Sequence, residues 1–303
     1  MAAETWRRLY PFESHWRPLP GGRCHYLDEG ARNGNGQQVS STLLLVHGNP
    51  TWSFYWRRLV QAFSDQHRVV VPDHLGCGLS DKPRDLTCRL EDHIKNLVRL
   101  IDDLDLQHVT LVGHDWGGAI GLGAALERVA RIERLVLINT GAFPPPYIPW
   151  RIRICRTPVL GRCAVQGLYL FSRAALRMAV NDRRSLPQEV RAGMLAPYDS
   201  WSNRRAVYRF VEDIPASPRH PTWQTLERIE AALHCLADRP VQLIWGMRDW
   251  CFRPSCLARF EQHFPAARVL RLPTAGHWVV EEAPAEVESC VREFLAQTAP
   301  VGR

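Results

Sequence analysis

The chain has 303 residues, 46% hydrophobic and 23% charged, enough apolar material for one large α/β domain with an insertion. No apolar run approaches the ~20 residues that span a bilayer, the start Met1-Ala2-Ala3-Glu4-Thr5-Trp6-Arg7-Arg8 lacks the apolar stretch of a secretion signal, and nine scattered cysteines include no Cys-x-x-Cys pair, so a cytoplasmic protein with reduced thiols, no metal site and no cofactor is expected. The net charge of +7 is concentrated in residues 151–209, where twelve Arg face Asp182, Glu189 and Asp199 for a net of +9.

In chain order, an antiparallel start is expected from Trp16–Leu19, a Pro20-Gly21-Gly22 turn and Cys24–Leu27. Further strand candidates are Thr42–Val46, Arg68–Val71, Val109–Val112, Leu135–Ile138, Val241–Trp245 and Arg268–Leu272, continuous Val/Leu/Ile runs of the kind needed by strands buried on both faces. Leu90, Ile94, Leu97, Ile101 and Leu104 alternate at spacings of four and three, which makes one apolar helix face. Another helix is predicted to follow Asp115 directly, through Ala119–Leu126, and a last one from about Pro284, a good first-turn residue, to Leu295. This alternation implies an α/β fold with a mostly parallel eight-stranded sheet flanked by helices.

The alternation breaks between Ala142 and about Glu230. Phe143-Pro144-Pro145-Pro146-Tyr147-Ile148-Pro149 is a stiff extended linker; helical stretches at Val165–Val180, Gln188–Leu195 and Arg204–Val211 and a second cluster of Pro215, Pro218 and Pro221 follow. Residues 142–230 therefore read as a helical cap inserted into a core of 1–141 and 231–303, lying over the carboxyl ends of the strands.

Gly113-His114-Asp115-Trp116-Gly117 follows a strand and precedes a helix, the context of a nucleophile elbow with Asp in place of Ser. The helix N-terminus should help keep that carboxylate ionised. A carboxylate can displace a leaving group from saturated carbon, leaving an enzyme–substrate ester that water must then cleave. His277, in Ala275-Gly276-His277 after the last strand, is the candidate base for that water. Its imidazolium needs a carboxylate; the strand end Asn139-Thr140-Gly141 offers none, whereas Gly246-Met247-Arg248-Asp249 offers Asp249. The backbone N–H groups of Asn49, in His47-Gly48-Asn49-Pro50, and of Trp116 should converge on developing negative charge, with the side chains of Asn49 and Trp116 adding two donors for a departing halide.

These segments, with Pro72-Asp73-His74-Leu75-Gly76-Cys77-Gly78-Leu79-Ser80-Asp81-Lys82-Pro83 between them, resemble the haloalkane dehalogenase family of the α/β-hydrolase superfamily across nearly the whole chain. The resemblance implies Asp115 as nucleophile, His277 as base, Asp249 as acid, and Asn49 with Trp116 as the halide-binding pair. The Asp249 position with an Asn–Trp pair is similar to the third dehalogenase subfamily, which includes β-lactone decarboxylases of long-chain olefin biosynthesis. The cap segments Asn139-Thr140-Gly141-Ala142-Phe143-Pro144, Ala196-Pro197-Tyr198-Asp199-Ser200-Trp201-Ser202-Asn203-Arg204 and Phe210-Val211-Glu212-Asp213-Ile214-Pro215 resemble those decarboxylases. A haloalkane is the first expected substrate and a dialkyl β-lactone the alternative.

Epoxide hydrolases share the Asp but use paired cap tyrosines, for which Tyr147, Tyr169, Tyr198 and Tyr208 are available, and they usually carry an aromatic residue where Asn49 stands. A non-catalytic receptor on this fold would not need the Asp115–His277–Asp249 set. The basic cap carries no nucleic-acid recognition motif, so its expected partners are a membrane surface or an acidic protein.

Overall fold

The computed structural model describes residues 2–30 and 41–298. Eight strands form one sheet in the order β1-β2-β4-β3-β5-β6-β7-β8: β1 (His15–Leu19), β2 (Gly22–Glu29), β3 (Thr42–Val46), β4 (Arg68–Pro72), β5 (Val109–Asp115), β6 (Ile132–Thr140), β7 (Val241–Gly246) and β8 (Arg268–Leu272). β2 runs antiparallel to β1 and β4, and the remaining pairings are parallel. Every residue of β3, β5 and β7 is buried, which explains why these strands read as unbroken apolar runs. Alternate residues serve opposite faces: Leu43 and Leu45 join one core cluster, Leu44 and Val46 the other.

The flanking helices begin with α1 (Arg57–Phe63), α2 (Leu90–Asp103) and α3 (Trp116–Glu127). α3 starts directly after Asp115, as expected, and Gly117 lets it pack on the sheet: a Cβ there would lie 2.0 Å from the Val46 carbonyl oxygen. The inserted region contributes α4 (Trp150–Cys155), α5 (Leu160–Arg162), α6 (Leu170–Met178), α7 (Gln188–Leu195) and α8 (Arg205–Glu212). Helix 165–180 is not continuous as expected, because Tyr169 takes a left-handed conformation (φ 60°) between a π-helical turn at Cys163–Gly167 and α6.

α9 (Pro221–Ala232) lies in the stretch expected as cap, yet its Leu226 and Ile229 share a core cluster with Ile94 of α2 and Ile120 of α3. α10 (Pro254–His263), α11 (Val279–Glu282) and α12 (Pro284–Gln297) complete the chain. Residues 178–181 are tied to the loops that follow β7 and β8. Trp250 Nε1 donates to the Met178 carbonyl at 2.7 Å, Trp278 N to Ala179 at 2.8 Å, and Glu282 accepts from Asn181 N (2.6 Å) and Gly276 N (2.5 Å).

Candidate active site

Asp115 ends β5 with φ 53° and ψ −130°, a backbone conformation that ordinary side chains avoid. Such strain is tolerated where the surroundings dictate it, and here it lifts the carboxylate above the strand ends. Gly48 makes the space: a Cβ at that position would lie 2.1 Å from Asp115 Oδ1.

The structure brings all five predicted site residues together. Asn49 N donates to Asp115 Oδ1 at 2.7 Å, and the Trp116 N–H also bonds the carboxylate. These two backbone donors, expected to await charge developing on a substrate, instead hold Asp115 itself. Oδ2 faces His277 Nε2 at 3.6 Å, too long for a hydrogen bond. On the other side of the ring, His277 Nδ1 meets Asp249 Oδ2 at 2.8 Å. Asp249 Oδ1 in turn accepts from Cys251 N (2.7 Å) and Phe252 N (3.1 Å), and the Phe252 ring stacks on His277 with centroids 5.7 Å apart.

Burial raises the Asp115 carboxyl above its ordinary pKa, against the opposing pull of His277 and the two backbone donors. Desolvation is the larger effect at this depth, and the backbone donors at the helix terminus act against it. For His277 burial opposes the charge, but Asp249 and then Asp115 outweigh it and hold the imidazole above its usual value.

Asn49 and Trp116 line the same cavity wall. The Asn49 amide is not simply aimed into the pocket, because Nδ2 donates to the Val207 carbonyl of α8 at 3.2 Å. That bond fixes the amide's plane from α8 and leaves it one further N–H. Of the four cap tyrosines, Tyr147 lines a chamber beside Asp115. Tyr169 and Tyr198 spend their hydroxyls on the Leu195 and Thr51 carbonyls, and Tyr208 points its own toward Thr157 and Pro158, so no tyrosine pair meets the carboxylate among the described residues.

Two residues that sequence reasoning passed over support the site. Asn139, with φ 32° at the end of β6, donates Nδ2 to Asp249 Oδ2 at 2.9 Å and accepts from Gly246 N at 2.7 Å. The Asn side chain tolerates left-handed backbone, so an Asn at a strand end was a usable signal. His114, fully buried, contacts the His277 carbonyl through Nε2 at 2.9 Å.

Two apolar chambers open from this point, and both include Asp115, Trp116, Ile152, Ile214 and Cys251 in their walls. One, of about 120 Å³, runs under Phe143, Pro145, Leu226 and Phe252. The other, of about 330 Å³, runs past Phe171, Ala174, Met178 and Trp278.

The α/β hydrolase fold family matches residues 41–284. The chain is 40% identical over 296 residues to the cis-3-alkyl-4-alkyloxetan-2-one decarboxylase of Shewanella oneidensis, covering 96% of this chain and 90% of that one. It is 32% identical over 291 residues to haloalkane dehalogenase 2 of Mycobacterium tuberculosis, covering 94% and 96%. Among solved structures, the ancestral haloalkane dehalogenase AncHLD2 superimposes with a TM-score of 0.82 at 26% identity, covering 94% of this chain and 99% of that one. Matched over most of its length in both sequence and fold, the chain belongs to the α/β-hydrolase superfamily and, within it, to the haloalkane dehalogenase family together with the alkyl-oxetanone decarboxylases.

Proposed function

We propose that this protein decarboxylates cis-dialkyl β-lactones to alkenes, with Asp115 as nucleophile. The observation that carries this reading is the pair of apolar chambers diverging from one carboxylate. A β-lactone alkylated on both C3 and C4 presents two hydrocarbon arms, and each chamber takes one. A simple haloalkane would use a single chamber. The relative named for a 3-alkyl-4-alkyl-oxetanone, at 40% identity, supports the same choice.

The geometry suits a two-step reaction. Asp115 Oδ2, the oxygen that Asn49 N does not hold, attacks the saturated ring carbon C4, and the C4–O bond breaks with its electron pair leaving on the lactone's own carboxylate. Relief of four-membered-ring strain favours this step. The departing carboxylate lies against the Asn49 amide and the Trp116 indole, which stabilise it. The C2–C3 bond then breaks, its pair forms C3=C4, and the ester bond to Asp115 breaks as carbon dioxide leaves. Inversion at C4 followed by anti elimination turns a cis lactone into a cis alkene. The sequence consumes neither water nor a proton, so His277, oriented by Asp249, serves here to stabilise the Asp115 charge when it returns.

Dehalogenation is the second reading, favoured by the Asn49–Trp116 pair. It uses the same attack on a carbon–halogen bond, after which His277 activates water against the ester. The discriminating experiment offers a cis-dialkyl β-lactone and a bromoalkane to the wild type and to His277→Phe. Alkene from the lactone with both proteins supports decarboxylation. Bromide release by the wild type, an alkyl adduct on Asp115 in the variant and no alkene from either would transfer the assignment to dehalogenation.

A further inference from the structure

The outer wall of the larger chamber carries an unusual surface. Trp150 (61% exposed), Val159 (77%), Leu160 (64%), Leu168 (65%) and Leu170 (51%) project into solvent from α4, α5, the start of α6 and the turns that precede α5 and α6. Exposed apolar side chains are ordinary singly, but five large ones within residues 150–170 are not. Between Glu133 and Asp182 the sequence contains no acidic residue, while Arg151, Arg153, Arg162, Arg173 and Arg177 stand exposed among these apolar groups. No carboxylate of the described residues pairs with Arg151, Arg153, Arg173 or Arg177. Arg151 instead lies over the Trp150 ring at 5.2 Å, an amphipathic pair suited to a water–hydrocarbon boundary.

The chamber reaches this surface. Ile154, itself 44% exposed, and Leu170 both line it, so an apolar path runs from the exposed face to Asp115. We propose that this face docks on an anionic lipid bilayer, the tryptophan and aliphatic side chains entering the headgroup boundary and the arginines contacting lipid phosphates. Charge complementarity selects the anionic surface. The protruding aromatic and aliphatic residues interleaved with arginines are the pattern of a surface that lies in a headgroup boundary, which favours a bilayer over an acidic protein. A dialkyl substrate, nearly insoluble in water, would then pass from lipid to chamber without crossing solvent; this last consequence alone rests on the lactone reading above.

The test is sedimentation of the full chain with sucrose-loaded vesicles, without substrate. Vesicles of equal parts phosphatidylglycerol and phosphatidylcholine should bind it at least about tenfold more tightly than phosphatidylcholine alone, and 0.5 M NaCl should weaken that binding. Leu160→Asp/Leu168→Asp should abolish the association and Arg153→Glu/Arg177→Glu should remove its salt-sensitive part. None of these four residues lines a chamber, so both variants should turn over a short-chain, water-soluble substrate at the wild-type rate, which also reports correct folding. Equal binding to both vesicle types, binding unchanged in Leu160→Asp/Leu168→Asp, or capture by polyglutamate in place of vesicles would overturn the proposal. Vesicle binding by a protein that makes no alkene would leave the docking face standing and remove only the lactone reading.

Discussion

Asn139 and His277 share one oxygen: Asp249 Oδ2 accepts the Asn139 amide at 2.9 Å and the imidazole Nδ1 at 2.8 Å. The strand end that lacks an acid therefore still serves the acid, by orienting it. Asn139→Ala removes the donor and leaves Gly246 N without its 2.7 Å acceptor. A hydrogen bond to a charged group contributes about 1.5–3 kcal/mol, so kcat should fall roughly 10- to 100-fold with little change in KM. With one donor fewer, the Asp249 carboxylate holds the His277 proton more strongly, and any activity limb set by His277 moves to higher pH. An unchanged pH profile with lowered stability would reduce Asn139 to a structural residue.

Gly48→Ala should cripple the site. The added methyl would overlap Asp115 Oδ1 and its Cβ, at 2.1 and 2.3 Å, and must push the carboxylate off its line. A displacement of about 1 Å costs roughly 100-fold in rate. The rate of Asp115 alkylation by a bromoalkane in the His277→Phe background isolates this effect; alkylation at the undisturbed rate contradicts it.

Ala174→Trp tests the use of both chambers, because Ala174 lines only the larger one. Each methylene lost from an apolar pocket is worth about 1–3 kcal/mol. The kcat/KM for lactones with two long arms should drop by roughly 10-fold or more, while a lactone with one arm cut to methyl should be spared. A uniform loss across both substrates would refute the assignment of one arm to each chamber.

Asp213, at the end of α8, carries a pH-dependent cost. Burial pushes its carboxyl up to about 6, although Thr222 and Leu90 donate to it. Its unfolded value is lower, so the folded state binds the proton more tightly, and stability is lost as pH rises from about 4 through about 6. The two-unit shift corresponds to about 3 kcal/mol. Asp213→Asn should be more stable than the wild type at pH 8, and the difference should vanish below pH 4. Denaturation midpoints at the two pH values measure it; parallel curves for both proteins would disprove the assignment.

Much of the fold was legible because its signals are local. Strands β3, β5 and β7, buried on both faces, must be apolar at every position, and the face of α2 repeats with helical period. α4 and α5 escaped because six- and three-residue helices bounded by Pro149 and Pro158 leave no periodic trace. α9 was grouped with the cap because an apolar helix face does not state which neighbour it covers; packing placed it beside α2 and α3. We propose that the cap proper ends near Pro221, where α9 begins.

The sequence by itself determined that Asp115, His277 and Asp249 stand at the ends of strands, because the glycines and turns that place them lie within a few positions of each. Only the tertiary structure decided how they are held. The Asn49 amide bonds a carbonyl 158 positions away, and Asn139 reaches Asp249 across 110. It also decided that the backbone donors of Asn49 and Trp116 grip Asp115 and that two chambers meet at its carboxylate. Local geometry depends on neighbouring residues and is written there. Cavities and donor allocation depend on how distant surfaces pack, which no short stretch of chain contains.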